Sequence, residues 1–300
     1  MIRLSVHPNA WLTDDHSENI YRAMDEIALA GYDGIELTAG VTDHLVARGY
    51  PLRALLERHQ LELSALYCTL PYNDPAGIER DVEGMKACIA CATDAGAGWI
   101  ILDGAWPASG SGPGADYRRV ADAANRIADL CRMAGIGCCW HQHYGTIFED
   151  PPVFAGFMEL TDPSLVGFCP DTGQLLMSGF DVAATLRRYA SRVQYVHLKD
   201  LVDSGTRLAG RDAPDEVRPD LWHVDSRWRP VELGRGLVDF DEVAAILRRV
   251  DYQGWWTEEL DFTLYDKLES ARYMNRSMRE LADRDSDARP ATFGPATAQP

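Results

Sequence analysis

The segment Ala134–Thr146, AGIGCCWHQHYGT, runs from the end of one helix through a strand and into a loop. Gly135 reads as the left-handed residue that closes the helix before it. Ile136–Trp140 is an apolar run of the length of one buried strand. His141 and His143 follow two apart, so in an extended chain both imidazoles project to one side. Upstream, Val120, Ala124, Ile127 and Cys131 recur at helical spacing. A helix stopped by glycine, then a buried strand with its polar residues gathered at the C-terminal end, is the unit of a parallel α/β fold.

The same unit recurs along the chain. Candidate strands are Ile2–Val6, Gly34–Leu37, Leu61–Tyr67, Trp99–Leu102, Ile136–Trp140, Val166–Cys169, Val193–Val196 and Trp255–Glu259. Between them, Ile20, Met24 and Ile27, then Ile78, Val82, Met85 and Ile89, then Val243, Ile246, Leu247 and Val250 mark amphipathic helices, and Gly31 and Gly96 end two of the helices as Gly135 does. Eight such units predict an α/β fold of the (β/α)8 TIM barrel type, a single domain over residues 1–282. An open doubly wound sheet is the alternative, but the first strand runs into VHPNAW, which lacks a glycine-rich phosphate loop. A long polar insertion, SGTRLAGRDAPDEVRPD, follows the seventh strand. The last helix is expected from Leu264 to Leu281. Residues 283–300, which include DSDARPATFGPATAQP, read as a flexible C-terminal tail or an arm ordered against another subunit.

With 46% hydrophobic and 25% charged residues, the chain can bury a large core and is not disordered over most of its length. The net charge of -17 repels polyanions, and the Arg-Arg pairs beginning at 118, 187 and 248 lie on amphipathic helices as solvated faces, which argues against nucleic acid as a partner. Seven cysteines, an odd number spread through apolar segments, predict no disulfide framework and a reducing compartment. CIAC at Cys88–Cys91 lies mid-helix without a second pair, so it reads as packed small residues rather than a metal knuckle. MIRLSVHP has no apolar signal region and no apolar run approaches the ~20 residues that span a bilayer. A cytoplasmic protein without a membrane partner is the expectation.

In a (β/α)8 barrel the chemistry sits at the C-terminal ends of the strands. There the sequence places His7, Glu36, Asp103, His141, His143, Asp171, His197, Glu258 and Glu259. Imidazoles and carboxylates converging on one end suit Mn, Co, Fe or Zn better than Ca. Strand alternation lets only one of Glu258 and Glu259 face the barrel interior. Lys199 and Arg235 can hold a hydroxyl, carboxylate or phosphate of a substrate, and Tyr67, Trp106, Tyr144 and Trp222 can pack on a ring.

The segments WHQHYGT, CPDTGQ, VHLKD, ELGRGLVDF and GWWTEELD, in this order, make the chain resemble the xylose isomerase-like sugar isomerase/epimerase superfamily, in particular its inosose dehydratase-like members, over roughly residues 1 to 280. The resemblance implies one divalent ion, Mn or Co in preference to Fe, Mg or Zn. Its ligands would be Asp171 of DTGQ, His197 of HLKD, Glu259 of TEELD and, where relatives commonly carry a glutamate, His141. It also implies His143 and Glu259 as catalytic groups, with Lys199, Arg235, Gln174 and Glu36 as substrate contacts. Gln174 stands where the common segment has histidine, and a glutamine can bind a hydroxyl but exchanges no proton near neutral pH. Epimerases of the family work with two opposed glutamates. With His141 in place of one of them, the balance shifts towards elimination.

The expected activity is abstraction of a proton α to a carbonyl of a keto-polyol, ketose or keto-inositol, ending in dehydration, isomerisation or epimerisation. A lyase cleaving a C-glycoside or 3-keto-glycoside, with a partner subunit, is a close variant. A non-catalytic sugar-binding barrel and an abasic-site endonuclease are the remaining readings. The acidic balance and the eight histidines argue against the endonuclease. The expected partner is a small sugar or cyclitol, with a homo-oligomer as a further possibility.

Overall fold

The computed structural model describes residues 2–12, 19–49, 51–72, 75–106, 116–203, 227–261, 263 and 265–284. The insertion at 204–220, Trp222, Leu264 and the tail from 285 onward lie outside the described residues. In chain order the elements are β1 (Arg3–His7), α1 (Asn19–Ala30), β2 (Gly34–Thr38), α2 (Ala39–Ala47), α3 (Leu52–His59), β3 (Glu62–Leu70), α4 (Pro75–Ala95), β4 (Trp99–Gly104), α5 (Tyr117–Met133) and β5 (Gly137–His141). Then come α6 (Pro151–Leu160), β6 (Val166–Cys169), α7 (Thr172–Met177), α8 (Val182–Tyr189), β7 (Val196–Leu198), β8 (Asp200–Asp203), β9 (Trp228–Val231), α9 (Phe240–Arg249), β10 (Trp255–Glu259) and α10 (Lys267–Asp283).

Eight strands form one parallel sheet in the order β6-β5-β4-β3-β2-β1-β10-β7, curled into a nearly closed (β/α)8 barrel with the helices outside. The seam lies between β6 and β7. It has no continuous ladder, only the parallel bridges Phe168↔Val193 and Asp171↔His197, with His197 N donating to Pro170 O at 2.9 Å.

Strand alternation divides the core into two layers. Ala65, Tyr67, Ile101, Cys139, Cys169, Tyr195 and Trp255 fill the barrel, while a larger set that includes Leu4, Val6, Leu102, Trp140, Val196 and Leu198 packs under the helices. The helices bury the stripes their spacing predicts: Val120, Ala124, Ile127 and Cys131 of α5 are all fully enclosed. Gly135, in the left-handed region at φ +77, ends that helix and turns the chain into β5. A β-bulge in β3, where the register jumps between Ile35 and Glu36, turns both Ser64 and Ala65 inward. Ser64 then accepts from the Tyr195 hydroxyl at 2.8 Å and pairs with Ser5 at 2.6 Å, so hydroxyls satisfy one another in the middle of the barrel.

Four details differ from the sequence expectation. The seventh strand is Val196–Leu198 and not Val193–Val196, because Val193 closes a 3-10 turn at Ala190–Arg192 and ladder pairing with β10 starts only at Val196. An antiparallel hairpin, β8 with β9, flanks the insertion. Pairs of short helices, α2 with α3 and α7 with α8, stand where single ones were expected. The last helix starts at Lys267, where the Asp266 carboxylate accepts Glu269 N at 3.1 Å as an N-cap.

Asp200 explains why the KD and GRG segments belong together. Its carboxylate accepts the backbone N–H groups of Leu201 at 3.0 Å, Gly234 at 2.9 Å, Gly236 at 2.7 Å and Val238 at 3.1 Å, pinning the loop that leads into α9.

Candidate metal centre

Each strand of the barrel brings one polar residue to its C-terminal end. In chain order they are His7, Glu36, Tyr67, Asp103, His141, Asp171, His197 and Glu259, all buried. On β10, Glu259 faces this ring. Glu258 points the other way, in register with Val6 and Leu198 of the outer layer, where burial alone pushes its carboxyl well up.

Four side chains share one arrangement, with one polar atom tied to the protein and the other left over. His141 has Nδ1 on the Tyr67 hydroxyl at 3.1 Å, and Asp171 has Oδ1 accepting Gln174 N at 2.7 Å as the N-cap of α7. His197 has Nε2 on Glu36 at 3.0 Å, and Glu259 has Oε1 on Lys199 Nζ at 2.7 Å. The remaining atoms, His141 Nε2, Asp171 Oδ2, His197 Nδ1 and Glu259 Oε2, make no well-aligned hydrogen bond, and the last two face each other as an ion pair. The four residues each offer a ligand atom to one point, all within 4.8 Å of one another. Nε2 of His141 is 3.5 Å from Asp171 Oδ2 and 4.0 Å from Glu259 Oε2, while Nδ1 of His197 is 2.7 Å from Glu259 Oε2. Buried polar atoms left over in this number are costly, and a divalent cation held by two nitrogens and two oxygens would satisfy all of them at once. The donor set therefore fits such an ion.

A supporting layer fixes these donors. Glu36, fully buried, bridges His197 and His7, accepting at Oε1 from His7 Nδ1 at 2.8 Å. A carboxylate behind a ligating imidazole sets its tautomer and raises its basicity. Both Glu36 oxygens, expected at a substrate, are thus engaged by imidazoles. Lys199 is buried between Glu259 and Asp261, at 2.7 and 3.1 Å. It reaches them by running past α7 at Gly173, where a Cβ would come within 2.5 Å of Lys199 Cγ.

Electrostatics follow from this geometry. Burial pulls His197 down, but Glu36 and Glu259 overcome it and hold it at about 10. Burial, reinforced by the Glu259 charge, raises Asp171 to about 7. Burial and the neighbouring His197 hold His141 at about 3, so its imidazole is neutral near pH 7. In the metal-free chain near pH 7, His197 carries an extra proton and Asp171 is about half protonated, and a cation taking those lone pairs must release them. Metal binding is therefore expected to release protons near pH 7, and affinity is expected to rise with pH, by about tenfold per pH unit for each proton released. Calorimetry in buffers of different ionisation enthalpy measures the number; zero released protons contradicts the assignment.

His143 lies one step beyond the donors. Tyr144 N donates to Gln174 Oε1 at 3.0 Å, which orients the amide so that its Nε2 donates to His143 Nε2 at 3.2 Å. His143 Nδ1 then donates to Tyr144 O at 2.6 Å. The imidazole is thereby held neutral with its lone pair on Nε2, and burial lowers its pKa further. Gln174, expected on the substrate, instead orients this imidazole. Trp106 packs edge-on against it at 4.9 Å. Arg235, also expected on the substrate, packs against two tyrosines. Its guanidinium lies 4.2 Å from the Tyr273 ring and 5.3 Å from that of Tyr265.

Sequence reasoning gave Tyr67 a ring-packing role and Asp103 no specific one, and missed that the Tyr67 hydroxyl bonds His141 Nδ1. The inward parity of β3 beyond its bulge was the missing signal for Tyr67. Asp103 was visible as a strand-end acid and nothing more.

Comparison with known proteins agrees with this architecture. The sequence model of the family described as xylose isomerase-like TIM barrel matches residues 24–281. An inosose dehydratase of Geobacillus kaustophilus (strain HTA426) is 27% identical over 277 residues, covering 84% of this chain and 85% of the relative. The solved IOLI protein with a bound zinc atom superposes with a TM-score of 0.71 at 15% identity, over 94% of this chain and 98% of that one. A probable 3-DHS dehydratase from Bacillus anthracis, AsbF, gives 0.70 at 15% identity, over 93% and 99%. No helix among the described residues is long and apolar enough to cross a membrane.

Proposed function

The chain belongs to the xylose isomerase-like TIM barrel family, and from that premise we propose that it is a divalent-metal-dependent dehydratase of a keto-cyclitol of the inosose kind. It is an enzyme of the sugar isomerase, epimerase and dehydratase type. The observation that carries the finer reading is the set of four ion-facing donor atoms on His141, Asp171, His197 and Glu259, beside a neutral imidazole whose Nε2 accepts only from the Gln174 amide. The inosose dehydratase relative supports the substrate class, and a solved neighbour of the same fold with a bound zinc atom is in keeping with a metal.

A divalent ion held by the four donors supplies Lewis acidity that stabilises negative charge developing on a ketone oxygen. The chain's own groups do the rest. Glu36 and Tyr67 hold the two ligand imidazoles, and Lys199 holds Glu259. His143 Nε2 is the base that takes the proton α to the carbonyl, and the Gln174 amide keeps that atom unprotonated until a substrate displaces it. Trp106 and Tyr144 line the rim beside His143 and are suited to pack on a cyclitol ring.

Elimination is favoured over epimerisation by His141. Epimerisation needs a proton donor on the second face, whereas this imidazole sits at about 3 with Nδ1 on Tyr67 and Nε2 among the ion-binding atoms, so it has no proton to give there.

The test is purified protein, stripped and reloaded with Mn or Co, incubated with inosose in D2O. Water loss and α-carbon deuteration that both require the metal are the expected result. Deuteration with inversion and no water loss makes the enzyme an epimerase, and full activity after chelation refutes the metal role.

A further inference from the structure

Dehydration needs an acid as well as a base, since a hydroxide ion is a poor leaving group. The described residues of the ring leave few places for that acid. Glu36 has both oxygens on imidazoles, and Asp171 is divided between a helix cap and the ion-binding point. Glu259 is divided between Lys199 and the same point, and Lys199 is locked between two carboxylates. Asp103 alone among these carboxyls lies outside the group of ion-binding residues and keeps a buried oxygen, Oδ1, without a partner.

Its position is built in. Asp103 closes β4 with its side chain in the polar ring, between Tyr67 of β3 and His141 of β5, paired in register with Thr69. The two residues after it, Gly104 and Ala105, are both left-handed, at φ +130 and +62. A non-glycine residue there is strained, and such strain persists only where surrounding contacts hold it. Here Ala105 N donates to Leu70 O at 3.2 Å, and Ala105 O accepts Ile147 N at 3.2 Å from the loop after β5. This kink brings Trp106 onto His143, so the ends of β4 and β5 lean together, with the Asp103 carboxyl near enough to His143 for their charges to interact. The neighbours of the carboxyl are the hydroxyls of Tyr67 and Thr69, and burial raises it above an ordinary aspartate.

We propose that Asp103 is the general acid that protonates the departing hydroxyl. The assignment rests on the dehydratase reading. His143 Nε2 takes the proton α to the ketone and the C–H electron pair passes to the carbonyl as an enolate, which in a second step collapses to form the C=C bond as the β C–O bond breaks. The leaving oxygen accepts the Asp103 proton and departs as water. When product leaves, the proton on His143 returns through solvent to the Asp103 carboxylate, so the balance is ketone to enone plus water.

The test pairs Asp103→Asn with two substrates, inosose and its β-fluoro analogue, because fluoride leaves without a proton. In the Mn-loaded variant, water loss from inosose is expected to fall about 100-fold or more, while α-proton exchange in D2O stays within about threefold of the native chain. Elimination of fluoride is expected within about tenfold of native. Asp103→Ser is expected to behave alike, which covers an Asn variant that fails to fold. Inosose dehydration within about threefold of native overturns the assignment alone, as does fluoride elimination that falls in step with water loss. A native chain that neither dehydrates inosose nor exchanges its α-proton overturns the dehydratase reading and this assignment with it.

Discussion

Asp171→Ala is expected to lower metal-dependent turnover by about a thousandfold or more and to leave the purified chain with far less than one equivalent of metal. Asp171 does two jobs with two oxygens: Oδ1 caps α7 through Gln174 N, and Oδ2 is one of the four leftover donors. Alanine removes both, and the lost cap alone costs about 1 kcal/mol. Asp171→Asn separates them, since asparagine caps a helix as well as aspartate does but offers the ion no negative charge. The Asn variant also relieves the pressure between Asp171 and Glu259 that lifts the Asp171 carboxyl. Its metal-free form is therefore expected to melt no lower than the native metal-free chain, while the rise in melting temperature on adding Mn is lost. Metal analysis and melting curves with and without Mn check both statements. Native metal content in the Asn variant contradicts the role of Oδ2.

His143→Ala is the second large effect. A positioned base contributes about 100- to 10,000-fold, so kcat is expected to fall by that range with metal content unchanged. His143 donates to no ring residue; its hydrogen bonds are to Tyr144 O and the Gln174 amide, so its loss leaves the four donors in place. Deuterium exchange at the α-carbon should fall together with turnover, because both need the same proton removed. Exchange that survives in this variant moves the base to another group, with Glu259 the first to examine.

Much of the architecture was legible from the chain. Short apolar runs ending in His, Asp or Glu, each followed by a helical stripe, were enough for the barrel, because parallel strands buried on both faces must be apolar until their last residues. Fine placement was less accessible. The start of β7 slipped because Val193 and Tyr195 look like strand residues, yet the 3-10 turn before them uses Val193 as its cap. In the site, residue types pointed to an ion, but which atom each residue has to spare is a property of tertiary contacts. Glu36 looks like any strand-end acid, and only the meeting of β1, β2 and β7 reveals two imidazoles on it. Gln174 reads as a hydroxyl binder until the loop after β5 folds back and places Tyr144 N on its oxygen. Arg235 was set near the site by its motif, but the Asp200 anchor fixes the backbone around it and its side chain lies on two tyrosines.

The seam between β6 and β7 gives the barrel a weak line, because two bridges replace the ladder that joins every other neighbouring pair. One of those bridges is Asp171↔His197, so two of the four donors stand on opposite lips of the opening. An ion held by both would act as a rivet across the joint, where backbone pairing runs out. Metal loading is therefore expected to slow solvent exchange of the Val193–His197 amides.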